Sequence, residues 1–104
     1  MLMKNNKIKT PRMSEFLKLE FMEPLGISAY KLAKDIGVPV SRVQDLLHDR
    51  RKITVDTSLR LAKYFGVSDD FFLSIQNDID FRNEREAKRD ELARIKPIAI
   101  ASGI

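Results

Sequence analysis

Five polar side chains in the middle of the chain are of the types that read DNA bases: Ser41, Arg42, Gln44, Asp45 and His48. They remain on the outer side of a short predicted helix once its apolar positions are assigned to the core. Gln pairs bidentately with adenine, Arg with guanine, and Ser is more permissive. We therefore expect these residues, with Val40 beside them, to contact base edges. The alternative is an ordinary amphipathic helical hairpin with a polar outer face.

Two short helices joined by a tight turn must position those side chains. Ser28 is a good N-cap for the first helix, and Gly37 supplies the left-handed residue that ends it. Pro39 suits the start of the second helix. The small Ala33 lies where the two helices must meet. The apolar positions recur at helical spacing: Leu32, Ala33, Ile36, Val40, Val43, Leu46 and Leu47. This layout is typical of a helix-turn-helix, whose second helix enters the DNA major groove.

A basic turn follows the second helix and supplies phosphate-binding chemistry. Arg50, Arg51 and Lys52 are consecutive, and we expect them, with the hydroxyls of Ser28 and Thr54, to bind phosphates. Residues 28 to 55 carry six basic side chains against three acidic ones, and residues 1 to 12 carry four basic and no acidic side chains. The net charge of +4 is therefore concentrated where contact with DNA would require it.

Length and composition exclude several classes of protein. The 104 residues fit one domain, and 43% hydrophobic with 33% charged residues describes a folded, soluble chain. There is no cysteine, which excludes disulfides and thiolate metal sites. No apolar run approaches a membrane span, and the first residues lack the apolar core of a signal peptide. We expect a cytoplasmic protein with no cofactor and no bound metal.

The remaining pattern predicts three further helices and no convincing strand. Residues 1 to 12 read as a flexible basic arm. The first helix begins at Met13 with Ser14 as a cap, and Pro24 stops it. The helix after the basic turn is capped by Thr54 and ends at Gly66, with a buried stripe of Val55, Ser58, Leu59, Ala62 and Phe65. Ser68 is predicted to cap the next helix. Asp69 and Asp70 fit its first turn better than a metal or catalytic pair.

The composition changes after Asp80. Acidic and basic residues alternate up to Lys96, and large apolar residues are sparse, which predicts a separate charged helix. Such a helix is either a solvated extension or presents its few apolar side chains to a partner chain. Phe81, Leu92 and Ile95 are the candidate contacts for a partner protein or for a second copy of the chain.

The chain resembles the HigA-type antitoxins, also described as the VapI group, among the Xre-like helix-turn-helix regulators. The resemblance is carried by MEPLGISAYKLAKDIGVPVSRVQDLL and by RRKITVDTSLRLAKYFGVSDDFFLSIQNDID, which includes a terminal LxxQ. It covers about residues 13 to 81. Where the family has Asn-Gly after the second helix of the pair, this chain has His48 and Asp49, and where it has tryptophan in the fifth helix, this chain has Phe72.

That resemblance implies an all-α, five-helix lambda-repressor-like domain over residues 13 to 80, with an extra charged helix and tail over 81 to 104. It also implies a homodimer that binds a palindromic operator in double-stranded DNA, represses its own operon and neutralises a RelE-like ribonuclease toxin. Two rivals stay open: a stand-alone phage-type regulator without a toxin, and a protein-interaction module that has lost DNA binding. Asp45 and Asp49 favour the second rival, because each repels phosphate.

An enzyme is not expected. His48 is the only histidine, and no serine or cysteine is arranged with it as a nucleophile pair. Its position at the end of a helix favours contact with DNA or a capping role. No glycine-rich phosphate loop and no metal-ligand spacing occurs in the sequence.

Overall fold

The computed structural model of the protein describes residues 10–99, and over that range the chain is all helical, with no strand. Helix α1 is continuous through Met13–Leu17, Lys18–Met22 and Glu23–Leu25, and is followed by α2 (Ala29–Ile36), α3 (Val40–Leu47), α4 (Val55–Phe65), α5 (Phe71–Ala87) and α6 (Arg89–Ala93). The predicted all-α class of five helices and an extra charged C-terminal helix is confirmed. The predicted basic arm lies almost wholly outside the described residues, as does the end of the tail from residue 100. None of the helices in the described range is long and apolar enough to cross a membrane.

Helix α1 corrects two predictions. Ser14 does not cap it, because Arg12 is the N-cap residue and Ser14 lies buried inside the first turn. Pro24 does not stop it, since the helix continues to Leu25 and ends at Gly26, whose φ is 65°. The preceding turn, Lys18–Met22, is π-helical. This wider turn removes the clash that a proline ring makes with the carbonyl group four residues earlier in a regular α-helix.

The core lies where α1, the α2–α3 pair, α4 and α5 meet. Its fully buried side chains include Leu17, Leu32, Val43, Leu46, Leu61 and Phe72. Phe72 packs in an aromatic cluster, with its ring centroid 5.0 Å from that of Phe21 and 5.1 Å from that of Phe71. A phenylalanine therefore fills the core position at which the resembled family carries tryptophan.

The predicted stripe of α4 is wrong at two positions. Val55 is 62% exposed and Leu59 is 44% exposed, whereas Thr57 and Leu61 are buried. The buried face includes Ser58, as predicted, and also Thr57, whose hydroxyl an apolar pattern passes over. Buried Ser58 is satisfied, because its Oγ donates to the Asp69 carbonyl at 2.7 Å and accepts from the Leu73 N–H at 3.2 Å. These bonds tie α4 to the start of α5.

The ends of α5 also differ from prediction. Its N-cap is Asp70, with no side-chain cap, and Ser68 and Asp69 lie in the turn before it. At the other end the helix does not stop near Asp80 but runs on to Ala87, since no glycine or proline interrupts it. The charged segment is thus divided between the exposed end of α5 and the short α6. The Lys88 ammonium pairs with the Glu84 carboxylate one turn earlier, at 2.8 Å.

Candidate nucleic-acid interface

The α2–α3 pair has the geometry of a helix-turn-helix. Ser28 caps α2 by accepting the Lys31 N–H at 3.1 Å, and Gly37 ends it with a φ of 74°. Ala33 is only 2% exposed, so its small side chain lets the two helices approach closely. Pro39 is the N-cap residue of α3 rather than its first helical residue. The chain can therefore reverse within the few residues between α2 and α3.

The outer face of α3 carries a row of exposed polar side chains. Ser41, Gln44 and His48 are all exposed and recur at helical spacing, with Val40 partly exposed at the start of the row. The His48 Nδ1 lies 2.8 Å from the Gln44 carbonyl, so its ring N–H donates there as a second donor beside the His48 backbone N–H at 3.0 Å. The capping role expected of His48 as an alternative to DNA contact is present in the free protein.

The other two predicted base readers form ion pairs with neighbouring segments. Arg42 is half-buried, and its guanidinium donates to Asp56 of α4 at 3.0 Å. The same Asp56 oxygen accepts from Arg60 at 3.0 Å, and Arg60 also donates to the Ile36 carbonyl at 2.8 Å. This network joins α3, α4 and the end of α2. It lowers the pKa of Asp56 below its ordinary value, mainly through the hydrogen bond from Arg60.

Asp45 and Asp49 are the two acidic residues near the predicted interface, and both accept hydrogen bonds from neighbouring residues. Asp45 accepts from the Arg50 guanidinium at 3.1 Å. Asp49 accepts the Ser14 N–H at 3.2 Å and the Ser14 hydroxyl at 2.6 Å, so its carboxylate caps the N-terminus of α1. The Arg12 guanidinium lies 3.5 Å from the same carboxylate.

Asp49 also builds the turn after α3 without glycine. Its φ is 56°, and it is the one non-glycine residue with positive φ in the described range. The Arg50 N–H donates to the Asp45 carbonyl at 2.8 Å and the Asp49 N–H to the Leu46 carbonyl at 3.2 Å. This is the hydrogen-bond pattern of a Schellman motif, in which the left-handed position is ordinarily glycine. Aspartate tolerates that conformation better than most side chains.

The basic turn divides into paired and unpaired cations. Arg50 pairs with Asp45, and the Lys52 ammonium pairs with Asp80 of α5 at 3.1 Å. Arg51 is exposed and forms no ion pair with any residue between 10 and 99. Thr54 caps α4 by accepting the Thr57 N–H at 3.3 Å, which places its hydroxyl beside the free N–H groups of that helix start.

The candidate partner residues lie apart from the outer face of α3, at the C-terminal end of the described chain. Phe81 is 65% exposed on α5, Leu92 is 47% exposed on α6, and Ile95 is 68% exposed just beyond it. Phe81 and Lys52 line the same shallow groove of about 360 Å³. The other residues that line this groove are polar, so Phe81 is a single exposed apolar side chain next to the basic turn.

Sequence reasoning missed the residues that fix this geometry. Ser14, Asp56, Gln76 and Asp80 each bond to a segment distant in sequence, as Ser14 and Asp49 do across 35 positions. Only Gln76 left a signal, as the last residue of the LxxQ in the family resemblance.

Comparison with known proteins places this fold in a family. The helix-turn-helix family pattern matches residues 12–72. The chain is 34% identical over 84 residues to Virulence-associated protein I of Dichelobacter nodosus, covering 81% of this chain and 78% of that protein. It is 30% identical over 99 residues to Antitoxin HigA-1 of Vibrio cholerae, covering 95% of this chain and 93% of that protein.

A solved structure agrees with these sequence relationships. The Pseudomonas aeruginosa antitoxin HigA with the higBA promoter superposes with a TM-score of 0.81 and 26% identity, over 88% of this chain and 100% of that chain. The family pattern spans the α2–α3 pair. The chain belongs to the helix-turn-helix family, in the Xre-like group that contains the HigA-type antitoxins.

Proposed function

We propose that this protein is a cytoplasmic, sequence-specific DNA-binding repressor that acts as the antitoxin of a toxin–antitoxin pair. The observation that carries the proposal is the exposed row Ser41, Gln44 and His48 on α3, directly followed by the basic turn Arg50–Lys52. Polar side chains on a protruding helix can reach base edges, and adjacent cations can bind the phosphates that flank them. The P. aeruginosa HigA that superposes on this chain was solved with promoter DNA.

The proposed roles follow the contacts of each side chain. Ser41, Gln44 and His48, with Val40 beside them, face outward and read bases. Arg42 and Asp45 are also on this helix, and we assign base contact to them only if DNA draws them from their partners Asp56 and Arg50. Phosphates are bound by the residues of the basic turn and the two helix starts: Ser28, Arg50, Arg51, Lys52 and Thr54.

The ion pairs argue against the rival reading as an interaction module that has lost DNA binding. That reading rested on repulsion between phosphate and the carboxylates of Asp45 and Asp49. Asp45 accepts from the Arg50 Nε–H, which leaves the other N–H groups of that guanidinium for a phosphate, and Asp49 caps the N-terminus of α1. Neither carboxylate is left as an unpaired negative charge toward DNA, so the repulsion is reduced.

The antitoxin role rests on a different part of the molecule. The relatives include proteins named as antitoxins. The exposed apolar residues Phe81, Leu92 and Ile95 are available for a RelE-like toxin or for a second copy of the chain. We propose a homodimer that represses its own operon from a palindromic operator. A stand-alone regulator remains the second candidate, and a small ribonuclease gene beside this one would decide between them.

Salt-dependent binding tests the DNA-binding proposal. A labelled fragment from upstream of the gene is titrated with protein at several salt concentrations, and the logarithm of the binding constant should fall linearly with the logarithm of salt. Arg51→Ala should weaken binding, whereas Lys63→Ala should not. Lys63 is exposed too, but it lies nine residues along α4 from Thr54, about 13 Å from the start of that helix. Affinity that is independent of salt and of Arg51 would refute the proposal.

A further inference from the structure

Gln76 is a buried polar residue that the proposed function does not yet use. It lies on α5 and is only 5% exposed. Its Oε1 accepts the Ile53 N–H at 3.2 Å, and its Nε2 donates to Asp80 Oδ1 at 3.1 Å. Both ends of the amide are therefore satisfied, one by the backbone of the basic turn and the other by a carboxylate one helical turn away on α5.

The same Asp80 oxygen reaches the basic turn a second time. Asp80 Oδ1 accepts from the Lys52 ammonium at 3.1 Å. Asp80 thus holds the side chain of Lys52, the last residue of the basic turn, and Gln76 holds the backbone of Ile53, the residue that follows it. Ile53 is itself 4% exposed, so the turn is fixed on the core side while Arg51 and Lys52 stay in solvent.

We propose that Gln76 is a positioning residue for DNA binding, which fixes the basic turn so that its cations meet the phosphate backbone. This rests on the proposed function. The hydrogen bond from the Ile53 N–H to Gln76 is buried, and holding the turn in place beforehand reduces the entropy lost when it binds. Without the amide, the Ile53 N–H loses its buried acceptor and the turn is free to move. Gln76 touches no DNA in this scheme and acts through Lys52 and the turn backbone.

Gln76→Met tests the proposal, because methionine has similar length and no hydrogen-bonding amide. Binding to the upstream fragment should weaken by roughly five- to tenfold at 0.1 M salt, and the salt slope should fall by about one unit per half-site, as for one lost phosphate contact. Because Gln76 acts only through the turn, the same change in an Arg51→Ala, Lys52→Ala background should add less than about twofold. Full additivity of the two losses would overturn the proposal.

A swapped pair keeps the proposal testable if Gln76→Met folds poorly. Gln76→Glu combined with Asp80→Asn leaves the net charge unchanged and reverses the polarity of the bond between the two side chains. The carboxylate can still accept the Ile53 N–H. We expect the swap to restore affinity and slope to within about twofold, and Gln76→Glu alone to stay defective because two carboxylates then face each other. A folded swap that stays as weak as the single change would contradict the role.

Hydrogen exchange gives a readout in the absence of DNA. The Ile53 amide should exchange at least about tenfold faster in Gln76→Met, with the amides of α2 unchanged. Unchanged protection at Ile53 would overturn the positioning role. Absence of salt-dependent binding by the unmodified protein would refute the proposed function itself, whereas normal binding by folded Gln76→Met would refute the positioning role alone.

Discussion

Gln44 is the side chain best placed to carry sequence information. It is exposed in the middle of the α3 row and its side chain makes no hydrogen bond to any other residue of the described chain, so its amide is free to pair with a base. Gln44→Ala should cost roughly 1–3 kcal/mol on the cognate operator and little on random DNA. Fluorescence anisotropy with the upstream fragment and a random fragment of equal length measures both.

Arg51→Ala is the matched control for that prediction. Its guanidinium binds phosphate in the proposed scheme, so its loss should weaken both DNAs alike and lower the salt slope by about one unit. Equal losses on cognate and random DNA for Gln44→Ala would show that α3 does not read the sequence.

The carboxyl of Asp35 gives a test of the α2–α4 junction by pH. The hydrogen bond from Lys31, at 2.8 Å, and then the one from Tyr64, at 2.6 Å, lower the pKa of Asp35 below its ordinary value. The stabilisation from this group is therefore present above the pKa of the unfolded carboxyl and is lost as pH falls through the lower, folded pKa. Tyr64→Phe should raise the Asp35 pKa part of the way toward its ordinary value, as measured by NMR titration. Lys31→Met should raise the Asp35 pKa more than Tyr64→Phe does. A larger rise in Tyr64→Phe would contradict Lys31 as the main cause of the lowered pKa.

Individual residues were predictable where their partners are local. Ser28 and Thr54 cap the helices that the sequence assigned to them, because an N-cap bonds only two or three residues ahead. The prediction that Ser14 caps α1 was wrong because Ser14 bonds to Asp49, and no local pattern shows a bond across 35 positions. The contacts that Gln76 and Asp56 make with distant segments were not predicted, for the same reason. The base-reading residues were identified by their chemistry and stay a prediction.

The turn between α3 and α4 combines two functions in Asp49, and variants can separate them. Asp49→Gly removes the α1 cap but relieves the left-handed backbone strain. The free energy of unfolding should therefore fall by about 1 kcal/mol. Asp49→Ala removes the cap and also places a Cβ at positive φ, which should cost about 1–2 kcal/mol more. Urea denaturation measures both. Equal stability of the two variants would show that the φ of 56° carries no strain.

Helix boundaries were predicted correctly where their cause is local. Gly37 and Gly66 end their helices as predicted, because a left-handed cap is a property of the residue itself. The end of α5 was misplaced at Asp80 because the sequence becomes polar there. A polar sequence indicates that a segment is exposed, not that its helix ends. The segment to Ala87 contains helix-forming residues and no helix breaker. The exposed position of Val55 likewise reflects tertiary packing that periodicity alone does not give.

At the scale of the whole molecule, a homodimer is needed for useful specificity. One short helix covers few base pairs, and a two-fold pair demands half-sites about 34 Å apart. We expect Phe81→Asp to shift the protein toward monomer in light scattering and to weaken binding to a two-half-site operator. Leu25→Asp is the control, since Leu25 is 63% exposed and Phe81 65%. A dimer that survives Phe81→Asp would place the interface elsewhere.

Toxin neutralisation should depend on the C-terminal part of the chain and not on the DNA-binding face. A basic ribonuclease would be repelled by the basic residues 1 to 12. Residues 80 to 104 carry six basic and five acidic side chains and expose Phe81, Leu92 and Ile95. Aromatic and aliphatic anchors of this kind carry most of the energy of protein interfaces. We therefore expect toxin contact at α6 and the end of α5.

Co-expression with the neighbouring toxin gene separates the two surfaces. The full chain and Arg51→Ala should both restore growth, because Arg51 contacts only DNA in this scheme. A chain ending at Lys88 keeps α5 complete and removes α6 with Leu92 and Ile95, so it should fail to restore growth while remaining folded by circular dichroism. Phe81→Asp in the full chain tests the end of α5. Because this change is also expected to shift the protein toward monomer, weaker rescue counts as toxin contact only where light scattering shows the dimer intact. Rescue by the shortened chain would move the toxin contact to the helical core or the N-terminal segment.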